Sequence, residues 1–398
     1  RSKKYKKYGT LHTKGMPYDK YKEAMTYEWT DCTDYEKEIV PVEIDITKTI
    51  NYSKYIDILQ KLSRYDGVYL YKIGKSFEGR DLYAIEIDVE SEKEKNVYML
   101  TGQIHAREFA GGTFIIKMFA DLIQDAQTNK KTMEMLKENK YVAIPIINVD
   151  GREALINEPK KWSENGELLK AYTNLTDGNR NFPGLMCGQL SKGNKLKWNI
   201  SKNPSLFNYP GDYVGSNPET KAVMKWLYHY IVVEQAECLL DMHQQGSVIY
   251  AGKKWVTKEQ DKYSNDLRKK MFSHVNKGNT GRTYGRIQDE PKYGLEGTNS
   301  TITDYAMSIA CGAKFSPSHG FCVVSDEKMD FILMQFNDLD DLKFKIESSN
   351  PTFATLTIEI GVGKKYLGNS SETRKLLTTE YSKYHFDTML YKLPGMIK

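Results

Sequence analysis

Four strongly apolar segments punctuate the chain: NVYMLTG (96–102), YVAIPIINVD (141–150), AECLLDMH (236–243) and ATLTIEIG (354–361). Between them run segments of helical period. TFIIKMFADLIQDA places Ile115, Met118, Phe119 and Leu122 on one face, and ETKAVMKWLYHYIVV has the same texture. A strand apolar on both faces must be covered on both, which amphipathic helices between successive strands accomplish. The alternation therefore predicts an α/β fold: a single domain with a central, mostly parallel, mixed twisted sheet and helices on both faces. Upstream, Tyr55, Ile58, Leu59 and Leu62 define one more helical face. VYLYKIG and LYAIEID read as strands joined by a KSFEGRD turn, and the chain ends in helical segments.

The length of 398 residues suits one large domain, and there is no internal repeat or long Pro/Gly/Ser linker to divide it. Residues 50–398 are assigned to that domain. Residues 1–49, polar and tyrosine-rich as far as Pro41, read as a tail or a surface-wrapping arm. A net charge of +5, from 57 basic and 52 acidic residues well mixed, leaves no nucleic-acid footprint, and RSKKYKK reads as a solvated stretch. The five cysteines show no CxxC spacing, though Cys311 and Cys322 lie near enough in sequence to pair. No apolar run reaches eighteen residues, so no transmembrane segment is expected. The first residue is arginine, consistent with an export signal absent from this sequence and with a secreted or cell-envelope location.

Sheets of this type bind ligands beyond the carboxyl ends of their strands. His105, Asn148, His243 and Glu359 all fall at or just past such an end. His105 and Glu108 form an HxxE pair after the first apolar strand, and His243 follows another. Two imidazoles and a carboxylate are a common zinc set, leaving a fourth position for water. His12, His229, His274, His319 and His385 lie in contexts without such partners.

With these motifs in place, residues 50–398 resemble the zinc metallocarboxypeptidases of the carboxypeptidase A type. IGKSFEGRDLYAIEI is similar to the segment ahead of the family's first ligand loop. HAREFAGG resembles its His-x-x-Glu motif, NVDGRE its Asn-Pro-Asp-Gly turn, and DGNRNFPG its Asp-x-Asn-Arg-Asn motif. DMH resembles the third-ligand motif, TDYA (303–306) the loop before the last strand, and TLTIEIG that strand. The resemblance implies one Zn2+ per chain, held by His105, Glu108 and His243, with Glu359 as general base. It implies that Asp177 orients His105, and that Arg180, Asn179 and Arg107 contact substrate. Tyr293, with Tyr284 in reserve, would close over it. The expected substrate is a peptide with a free C-terminal carboxylate, the expected form a monomer.

Three departures accompany the resemblance. Aligned on Trp162, Ser163 stands where relatives of the pancreatic type carry an arginine that polarises the scissile carbonyl; Lys160, Lys161 and Lys170 are cations that could substitute. Residues 307–350 form an apparent insertion. Thr303, small and neutral, occupies the position that commonly sets side-chain preference. Rival readings follow: a peptidase cutting the γ-D-glutamyl–diaminopimelate bond of a peptidoglycan stem peptide (KAYTNLTDGNR resembles that branch), a catalytically silent peptide-binding module, and a deacylase of N-acyl amino acids.

Overall fold

The computed structural model describes residues 18–182, 189–191, 195–197, 209–213, 215–251, 258–285, 301–310, 314–316, 321–323 and 350–397. Eight strands form one mixed sheet. In chain order they are β1 (Thr30–Asp31), β2 (Val68–Lys75), β3 (Asp81–Ile87), β4 (Asn96–Gly102), β5 (Asn139–Ile144), β6 (Cys238–His243), β7 (Val248–Ala251) and β8 (Ala354–Glu359). Their spatial order is β1-β2-β3-β5-β4-β6-β8-β7. The parallel run is confined to the four central strands, β5, β4, β6 and β8. Antiparallel β1, β2 and β3 extend one edge and β7 the other. The central strands are the ones with near-continuous apolar sequence, and they are buried along almost their whole length.

Helices surround the sheet: α1 (Tyr18–Thr26), α2 (Tyr52–Leu62), α3 (Phe109–Asp125), α4 (Lys130–Glu138), α5 (Val149–Asn157), α6 (Pro218–Tyr228), α7 (Lys258–Val275), α8 (Ile302–Ala310), α9 (Ser371–Lys383) and α10 (Met389–Ile397). Tyr55, Ile58, Leu59 and Leu62 are the buried face of α2, with Asn51 capping its first turn through Lys54 N. The strand expected over 141–150 stops at Ile144. Asn148 instead accepts a hydrogen bond from Gly151 N and starts α5, so NVDGRE is a helix start. Likewise TDYA lies in α8, and the helix over 219–233 ends at Tyr228 before a wider turn at His229–Val233.

Residues 18–49 lie against the domain. Thr30 and Asp31 pair with Lys72 and Tyr71. Val42 exchanges backbone hydrogen bonds with the Gln124 amide on α3, and Val42, Ile44 and Ile46 are buried. Most of the apparent insertion at 307–350, Cys311 and Tyr293 lie outside the described residues, so the cysteine pairing does too.

Candidate active site

The register of the parallel strands brings the sequence-picked residues together. His243 ends β6 directly beside Glu359 at the end of β8, and Met242 pairs with Gly102, the last residue of β4. From Gly102 the chain turns through Gln103 and reaches His105 and Glu108 before α3 begins at Phe109. That helix starts hard against β6. A Cβ on Gly111 would lie 2.5 Å from Met242 O, so only glycine permits the approach.

His105 Nδ1 lies 2.8 Å from Glu108 Oε1, and His243 Nδ1 lies 2.9 Å from Glu108 Oε2. One potential ligand atom from each of the three buried residues lies within 4.8 Å of the others. The remaining ring nitrogens face carboxylates: His105 Nε2 is 3.1 Å from Asp177 Oδ1, and His243 Nε2 is 2.6 Å from Asp241 Oδ2. Asp241 was not singled out from the sequence. Its signal was there, because residues two apart on a strand share a face. The Thr101 hydroxyl donates to its other oxygen at 2.7 Å.

Charge within this cluster is strongly redistributed. Burial opposes ionisation of Glu108, but the His105 and His243 imidazoles outweigh it and hold the carboxyl far below the ordinary range. For His243, burial favours the neutral ring, and Asp241 and Glu108 override it, raising its pKa well above the usual value. Asp177 is buried yet kept ionised, chiefly by Lys170, then His105 and Arg180. Glu359 has no hydrogen-bond partner for its Oε2 among the described residues. Burial pushes its carboxyl up to about 7 against the pull of His243.

Asp177 also organises the neighbouring loop: it accepts from Asn179 N at 3.0 Å and opens a short 3-10 turn over Gly178–Arg180. Asn179 Oδ1 accepts from Ile302 N at 2.9 Å, which leaves its Nδ2 for another partner. Arg180 Nη1 donates to Asn179 O at 2.7 Å, and Arg107 Nη1 to Leu168 O at 3.1 Å. Glu359 Oε2, Arg180 Nε and Arg107 Nε are buried without a hydrogen-bond partner among the described residues. Such orphans are costly in a folded protein and each calls for an explanation, a bound ligand being one that suits three polar groups around the same cluster.

The three candidate cations separate clearly. Lys160 and Lys161 are exposed, and Lys161 pairs with Glu158. Lys170 is buried, with Nζ 2.5 Å from Asp177 Oδ2. The Ser163 hydroxyl donates to Lys160 O at 3.0 Å. Tyr284, the reserve lid residue, is fully buried and donates to Glu380 Oε1 at 2.7 Å, so its hydroxyl is not available to cover a substrate. Thr303 is buried, its hydroxyl 3.1 Å from that of Thr301.

Comparison with known proteins decides the family. The family model for zinc carboxypeptidases matches residues 55–329. The chain belongs to the zinc carboxypeptidase family. Bovine carboxypeptidase O is 26% identical over 229 residues, covering 54% of this chain and 58% of that protein. Bovine carboxypeptidase B2 is 25% identical over 228 residues, covering 56% and 49%. The chain thus spans about half the length of these curated relatives. An inactive metallocarboxypeptidase, ecm14 from Sclerotinia sclerotiorum, is 30% identical over 167 residues, covering 40% of this chain and 26% of that protein. Membership alone therefore does not decide activity. Among solved structures, bovine thrombin-activatable fibrinolysis inhibitor, bound to a tick carboxypeptidase inhibitor, superposes with a TM-score of 0.60 at 18% identity. It covers 88% of this chain and 98% of its own. Carboxypeptidase A from Helicoverpa armigera gives 0.59 at 16% identity, covering 96% and 80%. Both share the fold.

The residues fit the family's metal. Two imidazoles and one carboxylate converge, each imidazole is anchored at its far nitrogen by a carboxylate, and an orphaned acid stands beside them.

Proposed function

We propose that this chain is a zinc-dependent exopeptidase that hydrolyses the peptide bond next to a C-terminal residue bearing a free carboxylate. The observation that carries the reading is Glu359: an acid whose buried Oε2 has no hydrogen-bond partner among the described residues, in register with His243 at the edge of the three-residue cluster. His105, Glu108 and His243 would hold one zinc ion. Bound there, zinc supplies Lewis acidity and lowers the pKa of water to about 7.

Glu359, whose buried Oε2 has no hydrogen-bond partner among the described residues and which stands beside His243, would serve as the base that takes a proton from water and returns it to the leaving amine. Asp177 and Asp241 hold the two rings with Nδ1 turned inward. Arg180 and the Asn179 amide offer donors to the terminal carboxylate, where a planar guanidinium fork suits two oxygens. Arg107 lies further along the substrate. Lys170 is the one buried cation among the three candidates, but its Nζ is committed to Asp177 Oδ2 behind the His105 ring, so its role is to anchor that carboxylate and no lysine is assigned to the missing arginine's place. Thr303 favours neither basic nor bulky end groups. The resemblance favours action outside the cytoplasm, as a monomer.

The test is to offer matched hippuryl dipeptides with free and amidated C-termini, together with muropeptides. Trimming of the free-carboxylate peptides alone supports the reading. Cleavage confined to muropeptides transfers it to the peptidoglycan branch. Stoichiometric zinc with no cleavage of any substrate replaces it with a silent binding module.

A further inference from the structure

Glu108 stands at the N-cap of α3 but makes no capping hydrogen bond with its side chain. The reason is geometric: both carboxylate oxygens are turned toward imidazoles. A helix start leaves backbone N–H groups unpaired, and a buried one needs an acceptor from elsewhere. Gln244 supplies it from far along the chain. Its Oε1 accepts from Ala110 N at 2.7 Å, and its own backbone N–H donates to Glu108 Oε2 at 3.1 Å. The other end of the amide, Nε2, donates to Tyr366 O at 2.5 Å, on the loop that follows β8. The side chain is buried, and Gly111 brings the helix close enough for the contact.

We propose that Gln244 is a positioning residue for the metal site, acting as a surrogate helix cap that leaves the Glu108 carboxylate free to serve as a ligand. It joins the helix of Glu108, the strand end of His243 and the segment beyond Glu359 through one amide. A cap supplied by Glu108 itself would draw its carboxylate toward the helix start and away from the cluster. The inference rests on the zinc reading above, specifically on Glu108 as a ligand.

Two variants of the full chain test it, with zinc affinity read by chelator competition well below the unfolding temperature. Gln244→Met keeps the bulk and removes the acceptor. Gln244→Glu keeps the acceptor to Ala110 N. The expected result is a 10- to 100-fold weaker zinc affinity in Q244M, the usual range for lost outer-sphere support, and a clearly smaller loss in Q244E, which keeps the cap although it forfeits the donor to Tyr366 O. Equal zinc affinity in Q244M and the parent, even with a lowered Tm, overturns the proposal and leaves Gln244 a packing residue. Equal losses in both variants also overturn it, because the acceptor would then not be what matters. If the parent chain itself binds no zinc, the proposed function fails rather than this inference alone.

Discussion

At the residue scale, the roles proposed for Glu359 and Arg180 divide chemistry from recognition, and each can be tested alone. Glu359→Gln keeps the shape and removes the base, so kcat should fall about 10²- to 10⁴-fold while zinc content, read by elemental analysis, stays at that of the parent. Loss of the metal together with activity would assign Glu359 to the ligand set instead. Arg180→Met removes a fork of donors from a buried site where Nε has no partner among the described residues. The expected loss in kcat/KM is about 10- to 100-fold for peptides with a free carboxylate and small for amidated ones. An equal loss on both would show that Arg180 does not read the C-terminus. The HxxE pair, the third histidine and the acid on the last strand were singled out because their order and spacing together resemble the family's motifs, although each alone is a weak signal. Asp241 was passed over because one strand aspartate carries no sign of its partner until the ring of His243 is seen facing it.

At the element scale, one contact shapes the site and another makes stability depend on pH. Gly111 lets α3 meet β6, and Gly111→Ala would place a methyl 2.5 Å from a backbone carbonyl. Overpacking of this kind costs about 1–3 kcal/mol, and the displaced helix carries Glu108, so both Tm and zinc affinity should fall. A lowered Tm with unchanged zinc affinity would uncouple the helix from the site. The second contact is Glu219 in the first turn of α6. Its Oε1 accepts from Phe77 N at 2.8 Å, while Oε2 is buried without a partner among the described residues. Burial raises its pKa from 4.5 to about 8, assisted by Asp150 and Glu78. Between those two values the folded chain holds a proton that the unfolded chain has released. Its contribution to stability is therefore complete below pH 4.5 and is lost as pH rises toward 8. Glu219→Gln should leave Tm unchanged near pH 4.5 and raise it near pH 8.5, followed by calorimetry at both pH values. A uniform shift at both would mean that ionisation is not involved.

At the scale of the whole molecule, a metal held by the cluster and the N-terminal arm would each add to stability. Zinc at about a hundredfold excess over Kd stabilises the folded form by about 2.7 kcal/mol, so a chelator should lower Tm by several degrees, reversibly on adding zinc back. An unchanged Tm would argue that the cluster closes without a cation. Removing residues 1–49 should also lower Tm, since it uncovers the surface under Val42, Ile44 and Ile46 and breaks the Gln124 clasp. By itself the sequence determined the α/β class, the central strands and the side chains able to bind a metal. Period and residue type are local properties, and the pattern of burial follows from them. It overran at 145–150 and 229–233, where apolar content continued past the point at which a side-chain cap or a wider turn ended the element. Strand order, the pairing of His243 with Glu359, the burial of Lys170 but not Lys160 or Lys161, and the reach of Gln244 to Ala110 were decided only by the tertiary structure. Each is a contact between segments distant along the chain, and register and packing, not local pattern, select which of them meet.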